Sequence, residues 1–127
     1  MKIIKGPVKL DINAFRQGIK EDADISEAGM ILIHNGFVRA NDLEGNRVVK
    51  IDVRADAEKL AEILRKTAAM KGIIAVDAWI VEGTLEVGDD IMLLGVAGDT
   101  RKNVITALSS ALDAVKAGVT DKYQHLA

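Results

Sequence analysis

The chain has 127 residues, 49% apolar and 28% charged, with a formal net charge of −2. That length and balance fit one domain with a real core, and exclude a disordered chain. The absence of cysteine excludes a disulfide framework, a thiolate metal site and a cysteine nucleophile. The slight acidic excess argues against a general nucleic-acid binder, so affinity for an anion must come from a few locally placed bases. The opening MKIIKGPVKLDINAF lacks the apolar run of a signal peptide. The longest apolar runs are too short to span a bilayer, and a cytoplasmic location is the expectation.

Residues 2–10 read as a short strand broken by Pro7, which suits a sheet edge. Asp11 is placed to cap a helix over 12–20 with Ile12, Phe15 and Ile19 on one face. After a polar connection, Met30 to Val38 predicts a mostly buried strand, 41–46 a loop, and Arg47 to Val53 a second strand. Asp56 caps a helix to about Lys71, with Leu60, Ile63, Leu64 and Ala68 as its apolar stripe and Gly72 as its stop. Glu62 and Lys66 form an i,i+4 pair on its wet side. Ile73 to Val81 is the clearest strand, 82–90 a turn-rich link, and Ile91 to Val96 another buried strand. A last helix runs from about Arg101 to Ala117, Gly118 ends it, and 118–127 are a polar tail. Strands and helices alternate irregularly, which predicts a single α+β domain whose sheet is packed by about three helices.

The chain carries no phosphate loop, no G-x-G-x-x-G, no H-E-x-x-H and no G-x-S-x-G elbow. Its two histidines, His34 and His125, have no metal-ligand neighbours in sequence, so no metal and no resident cofactor is expected. His34 sits in an apolar strand and reads as a packing or surface residue. The segment GVAGDTRKN, 95–103, ends a buried strand in a glycine turn and starts a helix at once. Free N–H groups and the helix dipole favour an anion there, with Arg101 and Lys102 adding charge. The plainer alternative is an ordinary cap by Thr100 or Asp99. Arg39 follows the strand of 30–38, and Lys116 lies in the last turn of the final helix with Lys122 beyond it. Each has a bland reading as a solvated base. Asp89 and Asp90 read as turn residues. Arg101 and Lys116 are 15 positions apart on one helix, hence about 22 Å apart at 1.5 Å per residue. If both serve one small ligand, a second copy of the chain must supply one of them.

In this order, the pieces resemble the large, catalytic subunit of molybdopterin synthase. GMILIHNGFVRAND is similar to that family's strand G-x-V-x-x-F-x-G-x-V-R and the loop after it. IVEGTLEVGDDIMLLGVAGDTRKNVITALSSALDAVK resembles its strand, G-x-L-x-x-G-[DE] turn, strand and final helix. The resemblance implies an α/β-hammerhead type of sheet and a homodimer at the centre of a heterotetramer. A small ubiquitin-like partner would bring sulfur as a thiocarboxylate on its C-terminus. The substrate would be cyclic pyranopterin monophosphate. It further implies that Lys116 and Lys122 are catalytic and that Arg39, Thr100 and Arg101 bind substrate, with no metal held by the chain.

Three places depart from the family pattern. Thr100 stands where the family has a histidine, VTDKYQH replaces a V-P-x-W-K segment, and IDVRADAE is plainer than the family's aromatic stretch. Lys122 falls one position early. Thr100 and the altered tail motivate the alternative of a non-catalytic dimeric relative that binds an anionic ligand or a ubiquitin-like tail. An unrelated small regulatory ligand-binding domain is a third reading.

Overall fold

Alternating apolar patterns of period two and period 3.6 along one short chain require strands and helices to share a single core. The computed structural model, which describes residues 1–127, shows how they do so. Its elements are β1 (Lys2–Lys5), α1 (Ile12–Lys20), a 3-10 turn (Ile25–Glu27), β2 (Met30–Phe37), β3 (Val48–Ala55), α2 (Ala57–Ala68), β4 (Ile73–Glu86), β5 (Asp90–Gly98), α3 (Arg101–Gly118) and β6 (Thr120–Leu126). The strands form one sheet in the order β2-β5-β4-β3-β6, each antiparallel to its neighbour, with β1 lying parallel beside β4. This is the α+β domain with three helices that the sequence predicts. No helix is long and apolar enough to cross a membrane.

The run IMLLGV is apolar at every position because β5 lies between β2 and β4 with both faces covered, and Ile91 to Gly98 are all buried. On one face sits α1. Phe15 packs edge-on against Trp79, with ring centroids 5.1 Å apart. Gly95 admits that helix: a Cβ there would lie 2.7 Å from the Phe15 ring and 2.6 Å from Ile19. On the other face α3 packs Val104 and Ala107 against Val96 and Ile73, while Ala111 and Val115 join the main core. Each larger side chain so buried stabilises the fold by about 1.5–3 kcal/mol. The helix starts follow the sequence. Asp11 accepts from the Ala14 N–H at 3.0 Å and Asp56 from the Lys59 N–H at 3.1 Å. The Glu62–Lys66 pair forms at 3.1 Å, on the surface, where such pairs contribute little.

Two segments differ from the sequence reading. Residues 82–90, expected as a link, are mostly strand: β4 continues to Glu86 and only Val87 to Asp89 turn. The reason is Gly83, at φ +124°, which side chains avoid. There β4 bends and changes partners, leaving β1 at Glu82 and taking up β3 from Gly83. A glycine that bends a strand looks like a turn residue in sequence. The second correction is the polar tail of 118–127. Helix α3 ends at Gly118, and Thr120–Leu126 form β6, which pairs along β3. Most of β6 is exposed, so it carries no apolar alternation to mark it as a strand.

Candidate functional site

Strand alternation decides which side chains of β2 and β6 share a face. On β2 these are His34 and Gly36; on β6 they are Thr120, Lys122 and Gln124. All five line one cleft of about 380 Å³, together with Lys116 from the last turn of α3 and Arg39 from the loop after β2. β2 and β6 are opposite ends of the strand order. They meet because the sheet curls around the C-terminal end of α3.

The chemistry of the cleft lies in its charge. Arg39, Lys116 and Lys122 face the same space, and no aspartate or glutamate lines it. Asp42, in the loop beyond Arg39, turns its carboxylate to the N–H groups of Glu44 and Asn46. Burial pushes the Lys122 ammonium below its ordinary range, and the charges of Lys116 and Arg39 push it the same way. Lys122 as a whole residue keeps considerable solvent access. Burial, then Lys116, then Lys122, lower the pKa of His34, which leaves its imidazole neutral at pH 7. Gly36 makes room for that ring: a Cβ at Gly36 would lie 3.2 Å from His34 Nε2. Half of the lining residues are hydrophobic, and at the rim Phe37 is 59% and Leu43 91% exposed. The cleft therefore suits a ligand with a flat, partly apolar body and anionic groups.

A second, more open hollow of about 590 Å³ lies where α2 begins and α3 hands over to β6. Its bases, Arg54 and Lys59, are matched by Asp56 and Asp121, so it lacks the unbalanced charge that would draw an anion.

Of the residues singled out in the sequence, the structure brings together Arg39, Lys116 and Lys122. Lys122 reaches the cleft from its place opposite Val53 in the β3–β6 ladder. Thr100 and Arg101 lie at the other end of α3. Thr100 is the N-cap and accepts from the Asn103 N–H at 3.4 Å. Asp99 accepts from the Thr100 N–H at 2.6 Å and from the Asn103 amide at 3.0 Å. Within one chain this helix start is an ordinary cap, with a carboxylate where an anion would sit. Asp89 is the turn residue expected and accepts from the Glu86 N–H, whereas Asp90 is the first residue of β5 and accepts from the Leu10 N–H.

Sequence reasoning missed His34 as a cleft residue, along with Thr120 and Gln124. For His34 the signal was present: the alternation places it on the face of Gly36, next to Arg39. For the other two it was hidden by reading β6 as a tail.

The sequence profile of the family described as MoaE protein matches residues 7–118. The chain belongs to that family. Solved structures of the same fold are those of molybdopterin synthase from Staphylococcus aureus (20% identity, TM-score 0.79, covering 99% of this chain and 90% of that one) and of the molybdopterin biosynthesis MoaE protein from Burkholderia ambifaria (18%, 0.76, 98% and 87%). A third is the protein–protein complex of subunits 1 and 2 of molybdopterin-converting factor from Helicobacter pylori (20%, 0.73, 98% and 84%). No curated protein sequence is matched. At these identities the likeness shows the fold, and family membership rests on the profile. The match stops at Gly118, so Lys122 and all of β6 lie beyond it.

Proposed function

We propose that this chain is the catalytic subunit of molybdopterin synthase. It would transfer sulfur from the thiocarboxylated C-terminus of a small ubiquitin-like partner to cyclic pyranopterin monophosphate. The observation that carries the reading is the cleft where Arg39, Lys116 and Lys122 converge without a carboxylate. Both reactants are anions, one a thiocarboxylate and the other a phosphate ester. Bringing them together requires cations that are not already paired.

In this reading Arg39 holds phosphate or pterin through its forked donors. Lys116 sits where a negative charge develops on the thiocarboxylate carbonyl and stabilises it. Lys122, whose pKa is lowered by burial and by the charges of Lys116 and Arg39, is the base of the three best suited to take part in proton transfer. Arg101 enters only from a second copy of the chain, since the length of α3 separates it from Lys116. The working unit is thus a homodimer flanked by two small partners, in the cytoplasm.

One observation favours a second reading, a non-catalytic relative that binds the same anions. Thr100, in the family's histidine position, is engaged as a helix cap and leaves that end of α3 without an imidazole. Reconstitution separates the two. The purified chain is mixed with a thiocarboxylated small subunit and the cyclic pterin, and the fluorescent oxidised derivative of molybdopterin is measured. The expected outcome is product from the native chain and a loss of about 10²–10³-fold for Lys116→Ala, with an unchanged circular dichroism spectrum. Normal turnover by that variant overturns the role of Lys116. Bound partner with no product from the native chain favours the non-catalytic reading.

A further inference from the structure

The back of the sheet, opposite the cleft, carries a polar trio that the proposed chemistry does not use. Asp52, in the middle of β3, accepts from Thr84 Oγ1 at 2.5 Å and from His125 Nε2 at 2.8 Å. Thr84 lies directly across on β4, while His125 lies diagonally across on β6, two residues beyond Tyr123, the residue paired with Asp52. Both carboxylate oxygens are thus filled, one from each neighbouring strand. Aspartate is disfavoured inside strands, and this one is held there by two side-chain donors. Those bonds, Thr84 first and then His125, keep it ionised by lowering its pKa. Tyr123 adds an edge-on contact to the His125 ring, with centroids 5.1 Å apart.

Beyond its backbone ladder to β3 and the bonds of Val119 and Ala127 at its two ends, β6 has few other side chains to fix its register. It is an edge strand, none of its seven residues belongs to the buried core, and no apolar face points inward. Register is weakly specified in such strands, and a slip of one residue turns every side chain to the other face. Lys122 depends on that register. With Lys122 opposite Val53 its side chain lines the cleft; after a slip of one, Asp121 or Tyr123 would take its place.

We propose that the Thr84–Asp52–His125 bridge is a register clamp, a positioning device on the back of the sheet that holds Lys122 in the cleft on the front. The bridge ties the C-terminal strand to the two strands before it at one fixed offset. Its importance for turnover rests on the proposed function, but its effect on Lys122 does not.

The test reads Lys122 directly in the full-length chain. Lysines are reductively methylated with a carbon-13 label, the Lys122 signal is assigned by its absence in Lys122→Arg, and its titration is followed by NMR. In the native chain the signal titrates below the ordinary lysine range of about 10.4. His125→Ala is expected to return it to that range, while His125→Gln, which keeps a side-chain N–H donor, holds it at the native position. Thr84→Val removes one donor with almost no change in shape, and is expected to move the signal part of the way even if His125→Ala fails to fold. In the reconstituted reaction kcat should fall about tenfold in His125→Ala and recover in His125→Gln, as expected for displaced catalytic geometry. A Lys122 signal that stays at its native position in both His125→Ala and Thr84→Val overturns the clamp. A native chain that makes no product overturns the functional reading instead, and the NMR comparison still decides the clamp.

Discussion

The two ends of α3 carry the same kind of residue and do different things. At the N-terminal end, Arg101 and Lys102 follow a turn in which Asp99 accepts from the Thr100 N–H and the Asn103 amide, and Thr100 accepts from the Asn103 N–H. At the C-terminal end, Lys116 gains from the negative end of the helix dipole and faces Lys122 and Arg39 in a cleft with no carboxylate. Within one chain, a base beside a satisfied cap is a solvated charge. A group of bases without counter-charge is a repulsive arrangement that an anionic ligand relieves. The comparison teaches that helix-end electrostatics alone does not mark a site; what marks it is charge left unbalanced by neighbours from other elements.

The strongest way to break this contrast is to ask whether the N-terminal end serves a site after all, in a second copy. Arg101→Ala and Lys116→Ala are each expected to lower product formation by about 10²–10³-fold. Co-expressed and purified as a mixed population, the two variants should recover part of the activity, because one site of each hybrid dimer has both residues intact. Hybrid dimers that form and stay inactive would show that the two ends of α3 never meet across an interface.

His34 sharpens the contrast from inside the cleft. Its folded pKa lies below the ordinary value of about 6.5, so at mildly acid pH the unfolded chain takes up a proton that the folded chain resists. The sign follows: stability is complete above about pH 6.5 and is lost as pH falls through the lowered folded value. His34→Phe removes that proton and fills the space with a ring. Thermal melts are expected to decline less below about pH 6.5 in the variant than in the native chain. A matching decline in both would mean that neither burial nor the bases of the cleft perturb the imidazole.

The parts of this molecule that were legible in the sequence are those governed by local rules. Asp11 and Asp56 announced their helices because a cap needs only its own next three residues. β5 announced itself because burial on both faces leaves an unbroken apolar run. The strand carried past Gly83 and the strand hidden in the polar tail were not legible, since each depends on a partner distant in sequence: β3 opposite Thr84 and Leu85, and β3 again opposite Lys122 and Tyr123. The site divides in the same way. Arg39 and Lys116 carried motif signals, and spacing along one helix already separated Lys116 from Arg101. The presence of His34 opposite Lys122 came only from the curl of the sheet, which no local pattern encodes.

The smallest expected effect tests the plain side of the comparison. If Thr100 is chiefly a helix cap, Thr100→Ala should cost about 1 kcal/mol, a fall of about 3–6 °C in Tm for a chain of this size. Thr100→Asp, which keeps an accepting oxygen for the Asn103 N–H, should retain most of that stability. The same two variants in the reconstituted reaction read the other possibility. Aspartate adds negative charge beside Arg101, so a site that used this helix end for an anion would lose activity in Thr100→Asp although the fold is sound. Stability that follows the cap, with turnover following stability, would confine the role of Thr100 to holding the start of α3. Turnover that collapses in the stable aspartate variant would show that the quiet end of the helix is half of a shared site.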